Sequence, residues 1–241
     1  GQWKPFNTCS ICKWDKHPEV CSDEKNRKWG EFRNSVADYQ CILGGNRADF
    51  NLDSRVYEMP WFYCLDTNFW NPDRIIPTNY LLPINTEIVK IYHSVGDFVN
   101  RTSSSNVTIK CTHIYIELIE KYKKEGLPVE LMFFHGIKNT EIRYYQAQAD
   151  IVVDMLTFGW FGANVREAMM LGKPVVCYLR PEWLEDAKKE IPDYVNELPV
   201  VSADLDTIDE ILRELINDKK KREEIGIKSR AFAKKWHGSE K

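Results

Sequence analysis

From residue 88 onward the chain alternates short apolar segments with amphipathic ones, and this alternation constrains the fold more than any other feature. Strands are predicted at 88–93, 129–134, 151–154, 175–179 and 198–201. Helices are predicted at 112–124, 141–149, 164–171 and 207–236. The strands are apolar without polar alternation, so we expect them to be buried on both faces. The pattern predicts an α/β fold with a doubly wound parallel sheet.

The apolar residues of the first 79 positions show no clear helical or strand periodicity. These positions contain a cluster of thiols, a charged stretch over 23–33 and an aromatic segment over 60–71. Prolines at 72, 77 and 83 indicate a connector between this part and the alternating part. We therefore predict an incomplete N-terminal segment with its linker over 1–79 and a second unit over 80–241.

The N-terminal thiols have a spacing close to that of a zinc knuckle, in the order Cys9, Cys12, His17 and Cys21. Four such ligands can hold a structural zinc ion in tetrahedral geometry. The alternative is a thiol-rich surface loop without metal, and the spacing leaves both open. The odd total of seven cysteines and the lack of a signal peptide favour reduced thiols and a cytoplasmic protein.

Composition excludes several classes of protein. A formal net charge of −3 argues against a general nucleic-acid binder, which needs a basic surface. Hydrophobic residues make up 43%, which is enough for a sizeable core. No apolar run approaches the roughly 20 residues of a membrane-spanning helix. Because the chain starts with Gly1 rather than Met, the natural protein is expected to be longer.

Ligands of doubly wound sheets bind beyond the carboxyl ends of the strands, and the first loop there offers cations. His93 and Gly96 stand at the end of the first predicted strand, and Arg101 and Lys110 follow in a polar loop. Two cations around such a loop suit a diphosphate. The alternative is that both are ordinary exposed charges.

A second loop precedes the helix predicted at 164–171. Glycines at 159 and 162 allow a ligand to approach the backbone, and the helix N-terminus at Gly162, Ala163 and Asn164 favours phosphate. Glu167 lies one turn inside this helix, where its carboxylate can accept hydrogen bonds from a ribose diol. The alternatives are a tight turn without ligand and a solvated glutamate.

The segment 166–176, REAMMLGKPVV, closely resembles the Glu-Ala-Met-Ala-x-Gly-x-Pro-Val-Val signature of GT-B glycosyltransferases of the family-4-like, group 1 kind. The strings ADIVVD at 149–154 and GWFG at 159–162 resemble a bacterial subgroup that carries Asp and then Gly-Trp-Tyr-Gly. IKCT at 109–112 resembles the Lys-Gly-Thr that opens the first helix of the nucleotide-sugar domain. The similarity extends over about residues 66–240.

The resemblance implies that residues from about 80 form the Rossmann-like C-terminal half, which binds a nucleotide diphosphate sugar. Glu167 then holds the ribose, and Lys110 and Arg101 neutralise the diphosphate leaving group. Gly162, Ala163 and Asn164 face the phosphates, and His93, Gly96 and His135 are further expected donor contacts. The resemblance implies no metal and no cofactor besides the donor.

The chain departs from the family pattern in two places. The first Glu of the family's Glu-x7-Glu pair, which contacts the donor sugar, falls on Gly159, and we expect Asp154 to replace it or the sugar contact to differ. Fewer than 80 residues precede the second unit, too few for the family's N-terminal acceptor domain. The chain is therefore expected to be truncated or a reduced form.

The leading hypothesis is a retaining, metal-independent glycosyltransferase of the hexosyltransferase type that acts in surface polysaccharide or glycoconjugate synthesis. Its expected partners are a nucleotide-sugar donor and a glycan, lipid-linked or protein acceptor, without nucleic acid. Association with the inner face of the membrane and the oligomeric state stay open. A non-catalytic nucleotide-sugar-binding remnant or scaffold is the alternative, and the net charge argues against a zinc-knuckle nucleic-acid binder.

Overall fold

The computed structural model of the 241-residue chain describes residues 22–42, 56–59, 63–96 and 110–240. The helices are α1 Asp23–Val36, α2 Thr112–Lys124, α3 Asn139–Gln146, α4 Ala163–Met170, α5 Pro181–Glu190, α6 Pro192–Glu197, α7 Ile208–Asn217 and α8 Lys219–His237, with a short 3-10 helix at Thr78–Tyr80. The strands are β1 Gln40–Ile42, β2 Val56–Glu58, β3 Val89–Val95, β4 Val129–His135, β5 Ile151–Val153, β6 Val175–Cys177 and β7 Val201–Ser202. Several sequence predictions lie outside the described residues, namely the thiol cluster Cys9, Cys12, His17 and Cys21 and the cation Arg101.

The second part of the chain forms a five-stranded sheet in the order β4-β3-β5-β6-β7, and every described pairing in it is parallel. The chain starts the sheet at β3, adds β4 on one side and then adds β5, β6 and β7 on the other. The loops after β3 and β5 therefore leave in different directions and open a crevice between them. This topology confirms the predicted α/β class.

Both faces of the sheet are buried, as the apolar strands predicted. Successive residues of β3 point to opposite sides, so that Ile91 packs with α2 and α7 while Tyr92 packs with α4, α5 and α8. Val152 and Val153 of β5 divide in the same way. Helices on both faces make the sheet doubly wound.

Some predicted element boundaries are wrong. The helix predicted over 207–236 is two helices, α7 and α8, which are divided at Asp218. The Asp218 carboxylate accepts a hydrogen bond of 2.8 Å from the backbone N–H of Lys221 and so starts a new helix. The sequence analysis missed α5 and α6, which begin with Pro181 and Pro192, a position that proline favours. The last strand lies at Val201–Ser202 rather than at 198–201.

The chain before the sheet is partly packed against α8. The backbone N–H of Leu65 donates to the carbonyl of His237 over 2.7 Å, and that of Ser239 donates to Leu65 over 3.0 Å. Trp70 is buried, and its carbonyl accepts a 2.8 Å hydrogen bond from Arg230. Part of the predicted linker is thus held on the second unit.

In the part of the chain that the structure describes, none of the helices combines the length and the apolar character that a bilayer crossing requires.

Candidate functional site

A cavity of about 420 Å³ opens at the carboxyl ends of β3, β4 and β5, where the crevice of the sheet was expected. Seven residues predicted for ligand binding line it, although they are spread over 72 positions of the sequence, from 96 to 167. These residues are Gly96, Lys110, His135, Gly162, Ala163, Asn164 and Glu167. The fold therefore brings together most of the predicted donor contacts.

The N-terminus of α4 forms one wall of the cavity. Gly162 is the residue before the helix, and no side chain caps it. The first N–H groups of a helix have no partner within the helix, so they are available beside the cavity. Asn164 is fixed there because Gln146 donates to its side-chain oxygen over 3.0 Å and to its carbonyl over 3.1 Å. The sequence analysis did not identify Gln146.

Glu167 lies one turn further along α4 and is only 7% exposed. Asn139, at the start of α3, donates a 3.2 Å hydrogen bond to its Oε1. Burial raises the pKa of the Glu167 carboxyl to about 7; the Asp154 charge adds to this effect, while the Asn139 hydrogen bond and the Lys110 charge oppose it. The carboxyl group is therefore close to half ionised at neutral pH.

Lys110 contributes a positive charge to the cavity wall and forms an ion pair with Asp154. Asp154 itself is fully buried and does not line the cavity. Asp154 therefore does not reach the cavity in this structure, because its carboxylate is buried against Lys110, and this favours the other expectation, a different contact to the sugar.

His93 is also placed differently from the prediction. It is fully buried, and its two ring nitrogens lie 2.9 Å from the Thr112 hydroxyl and 3.3 Å from the carbonyl of Val153. Burial, together with the charge of Lys110, lowers the pKa of His93 to about 4, so the ring is neutral at pH 7. Because β3 points this side chain into the core, His93 has no contact with the cavity, which corrects its assignment as a donor contact.

The structure explains why position 159 has no carboxylate. Gly159 has φ of +83°, which a side chain strongly disfavours. A Cβ atom there would lie 2.8 Å from the Cβ of Arg180. The backbone before α4 is thus incompatible with the glutamate that the family carries here.

Aromatic residues support the turn before α4 and connect it to the linker. The rings of Trp160 and Trp183 are 3.8 Å apart, and the buried guanidinium of Arg166 lies 4.7 Å from the ring centre of Phe161. Arg166 also lies 5.5 Å from the ring centre of Tyr63. Tyr63 lines the cavity, so a residue from the linker contributes to the site.

Tyr63, Tyr92 and Asn139 line the cavity but were missed by sequence reasoning. Tyr92 occupies an apolar strand and reads as a core residue. Asn139 follows the strand end at His135, and only that position could have suggested it.

The described residues contain no group of three or more His, Cys, Asp or Glu side chains that could hold a metal ion.

Residues 116–232 match the family model for glycosyl transferases group 1. The matched segment includes α4 and the loop before it. No curated protein sequence is similar enough to match the chain.

Solved structures of similar fold cover nearly the whole chain. HepE from Anabaena, in complex with UDP and glucose, has 17% identity and a TM-score of 0.57 over 92% of this chain and 65% of its own. Sucrose-phosphate synthase from Thermosynechococcus elongatus has 14% identity and a TM-score of 0.61 over 97% of this chain and 62% of its own. A TarM mutant from S. aureus, in complex with Fondaparinux, alpha-GlcNAc-glycerol and UDP, has 14% identity and a TM-score of 0.59 over 90% of this chain and 44% of its own.

These comparisons confirm the resemblance to GT-B glycosyltransferases and the Rossmann-like, doubly wound fold. The chain spans less than two thirds of the length of each of these three solved structures.

Proposed function

We propose that this chain is the nucleotide-sugar-binding half of a glycosyltransferase, which transfers a sugar from a nucleotide diphosphate sugar to a glycan or glycoconjugate acceptor. The transfer proceeds with retention of the anomeric configuration and without a divalent metal. We place the reaction in the cytoplasm, at the synthesis of surface polysaccharide or a related glycoconjugate.

One observation carries this proposal: an acid, a helix N-terminus and a cation line the same cavity. Glu167 lies one helical turn from the N-terminus of α4, and Lys110 lines the same cavity. A carboxylate accepts hydrogen bonds from a sugar diol, whereas a helix N-terminus and an ammonium group favour phosphate. A ribose joined to a diphosphate satisfies all three groups at once.

The solved structures support this choice of ligand. HepE was crystallised with UDP and glucose and with UDP-glucose, and TarM was crystallised with UDP and a glycan. Because identity with this chain is only 14–17%, these ligands indicate the class of donor and acceptor and leave the base and the sugar to experiment.

The chemical task is to stabilise the leaving group. When the anomeric bond breaks, negative charge develops on the diphosphate. The Lys110 ammonium and the N-terminus of α4 are fixed positive groups beside that position, and such preorganised charge stabilises a transition state without rearrangement. When the protein acts on the donor alone, NMR of the anomeric proton of the newly released sugar tests whether the anomeric configuration is retained.

A non-catalytic donor-binding protein is the second candidate, and one observation favours it. Glu167 is the only carboxylate among the described residues that line the cavity, because position 159 is glycine and Asp154 is buried. A site of this composition can bind a nucleotide sugar while it lacks the acid that the family uses to hold the transferred sugar.

Titration calorimetry with UDP-, GDP- and ADP-sugars separates the candidates. The enzyme hypothesis expects binding of one donor together with slow hydrolysis or transfer. Binding without any turnover supports the second candidate, and no binding by the wild type refutes both. Glu223→Ala, on the exposed side of α8, serves as the matched control for substitutions of Glu167.

A further inference from the structure

A buried carboxylate lies directly behind the cavity wall, where the proposed reaction gives it no substrate to contact. Asp154 follows the last residue of β5 and is fully buried. Its Oδ1 accepts a hydrogen bond from Nζ of Lys110. Lys110 is the only lysine or arginine among the described residues that line the cavity. The carboxylate therefore acts on the single ammonium group of this wall.

The position of Asp154 is fixed by its backbone. Its N–H donates a 3.0 Å hydrogen bond to the carbonyl of Val176, and its carbonyl accepts one from the Tyr115 hydroxyl. The side chain thus starts from a rigid point in the sheet. Lys110, in contrast, reaches this carboxylate from the turn before α2.

Stability alone does not account for this pair. The second carboxylate oxygen, Oδ2, is buried and has no hydrogen-bond partner among the described residues. Taking a carboxylate and an ammonium out of water costs as much as their attraction returns unless the remaining polar atoms are satisfied. A pair of apolar residues would fill the same space at no such cost, so the arrangement calls for a functional reason.

We propose that Asp154 is a positioning residue, which holds the Lys110 ammonium group at the cavity wall and directs it toward the diphosphate of the donor. This role rests on the proposed function. An ammonium group has three N–H donors, and one of them is held by Asp154. Because Lys110 lines the cavity, the other two are available to phosphate oxygens there.

The other titratable groups near this pair leave a clear pH window. His93 on β3 is neutral above its pKa of about 4, and Glu167 on α4 completes its ionisation around pH 8. On the remaining sides, burial raises the pKa of Cys111 before α2, of Tyr115 on α2 and of Cys177 on β6. Near pH 8 the charges of these neighbours therefore change little, and the effect of Asp154 on Lys110 can be measured there.

A double-mutant cycle tests the proposal at pH 8 with UDP, GDP and ADP as calorimetric probes. Lys110→Met and Asp154→Asn are each expected to weaken the tightest diphosphate about tenfold, and the double variant is expected to match Lys110→Met alone, because Asp154 acts only through Lys110. The corresponding nucleoside without phosphate should bind all four proteins equally. Thermal unfolding shows whether each variant is folded, and Asp154→Glu should restore part of the affinity.

Two results overturn the proposal. One is a diphosphate affinity of Asp154→Asn that equals that of the wild type. The other is a loss of affinity from Asp154→Asn that is as large in the Lys110→Met protein as in the wild type. If the wild type binds none of the three diphosphates, the proposed function fails, and the pair is then tested without ligand. NMR of the labelled Lys110 ammonium at pH 8 should show a restrained side chain in the wild type and a more mobile one in Asp154→Asn. Identical spectra also overturn the proposal.

Discussion

The two ends of the cavity are held in different ways. At the end proposed to bind the diphosphate (the phosphate end), Asn164 is fixed by Gln146, and Lys110 is paired with a buried carboxylate. At the end proposed to bind the ribose (the ribose end), Glu167 receives one hydrogen bond from a side chain, that of Asn139, and its carboxyl group has a pKa of about 7. The phosphate end is therefore charged and ordered before the donor arrives, whereas the ribose end acquires its full charge only when the donor or a higher pH removes the proton.

This contrast separates two tasks. Leaving-group stabilisation requires groups that do not rearrange during the reaction, and rigid support provides this. Recognition of the ribose tolerates a group that changes its protonation state, because hydrogen bonds from the bound diol stabilise the ionised form. Substitutions at the two ends are therefore expected to have different effects on turnover and on binding.

Loss of the cation should have the largest effect. Lys110→Met keeps most of the side-chain volume and removes the charge, so we expect transfer or donor hydrolysis to fall about 100-fold, as for removal of a transition-state hydrogen-bond donor. Steady-state turnover measures this, and Lys219→Met on the exposed surface of α8 is the control. Wild-type turnover in a folded Lys110→Met protein would clear Lys110 of a phosphate role.

Loss of the acid should affect binding more than turnover. Glu167→Ala removes the acceptor of the ribose hydroxyls, and we expect donor affinity to fall about 30-fold, because one hydrogen bond to a charged group is worth roughly 1.5–3 kcal/mol. Calorimetry with the donor checks this against Glu223→Ala. An unchanged dissociation constant would remove the ribose assignment.

The pH dependence should be confined to the ribose end. Because the ionised Glu167 binds the diol and its pKa in the empty site is about 7, donor affinity is expected to rise about tenfold from pH 6 to pH 8 and to level off above. Binding at pH 6.5 should release a proton, which calorimetry detects in buffers of different ionisation enthalpy. Glu167→Gln should abolish this rise, and a rise that survives in this variant would locate the titrating group elsewhere.

The carboxyl group also affects folding, with the opposite sign. Its pKa is raised in the folded state, so the native protein binds more protons than the unfolded chain between about pH 4.5 and 7. The contribution of Glu167 to the free energy of unfolding is therefore present at low pH and is lost as the pH rises through this window.

Removal of the Asn139 side chain should have a smaller effect. Asn139→Ala deletes the hydrogen bond to Oε1 of Glu167, and we expect donor affinity to fall about fivefold, in keeping with roughly 1 kcal/mol for one hydrogen bond. The same change should move the pH dependence upward, because this bond favours the ionised carboxyl. Calorimetry across pH 6 to 8 measures both, and a weaker affinity without a shifted profile would contradict the proposed role of Asn139.

Chelation should have no effect at either end. The proposed reaction uses the cation of Lys110 and the N-terminus of α4, so donor affinity and turnover are expected to be the same with and without EDTA. Activity that disappears in EDTA and returns with Mg²⁺ would refute a metal-independent reaction.

Sequence reasoning placed four of the residues that line the cavity close together because they are local. Gly162, Ala163 and Asn164 begin a helix that the apolar period predicts, and Glu167 follows one turn later. The five parallel strands were predicted because buried strands carry continuous apolar residues. These features depend on neighbours within a few positions of the chain.

The errors concern side-chain direction and distant contacts. Whether His93 and Asp154 point into the cavity or into the core depends on how β3 and β5 pair, and a strand places successive residues on opposite faces. Asn139 and Tyr63 reach the site from another strand end and from the linker. The reason for a glycine at position 159 depends on its contact with Arg180, which is distant in the sequence.

The parallel bridge between Leu65 and Gly238 connects the wall of the cavity to the end of α8. Leu65 is hydrogen-bonded on both sides to this end, and Tyr63, which lines the cavity, lies two positions before it. A Cβ atom at position 238 would lie 2.7 Å from the carbonyl oxygen of Lys234, so a side chain there would require the backbone of the bridge to shift. Gly238→Ala is therefore expected to disturb the placement of Tyr63, although this glycine does not line the cavity.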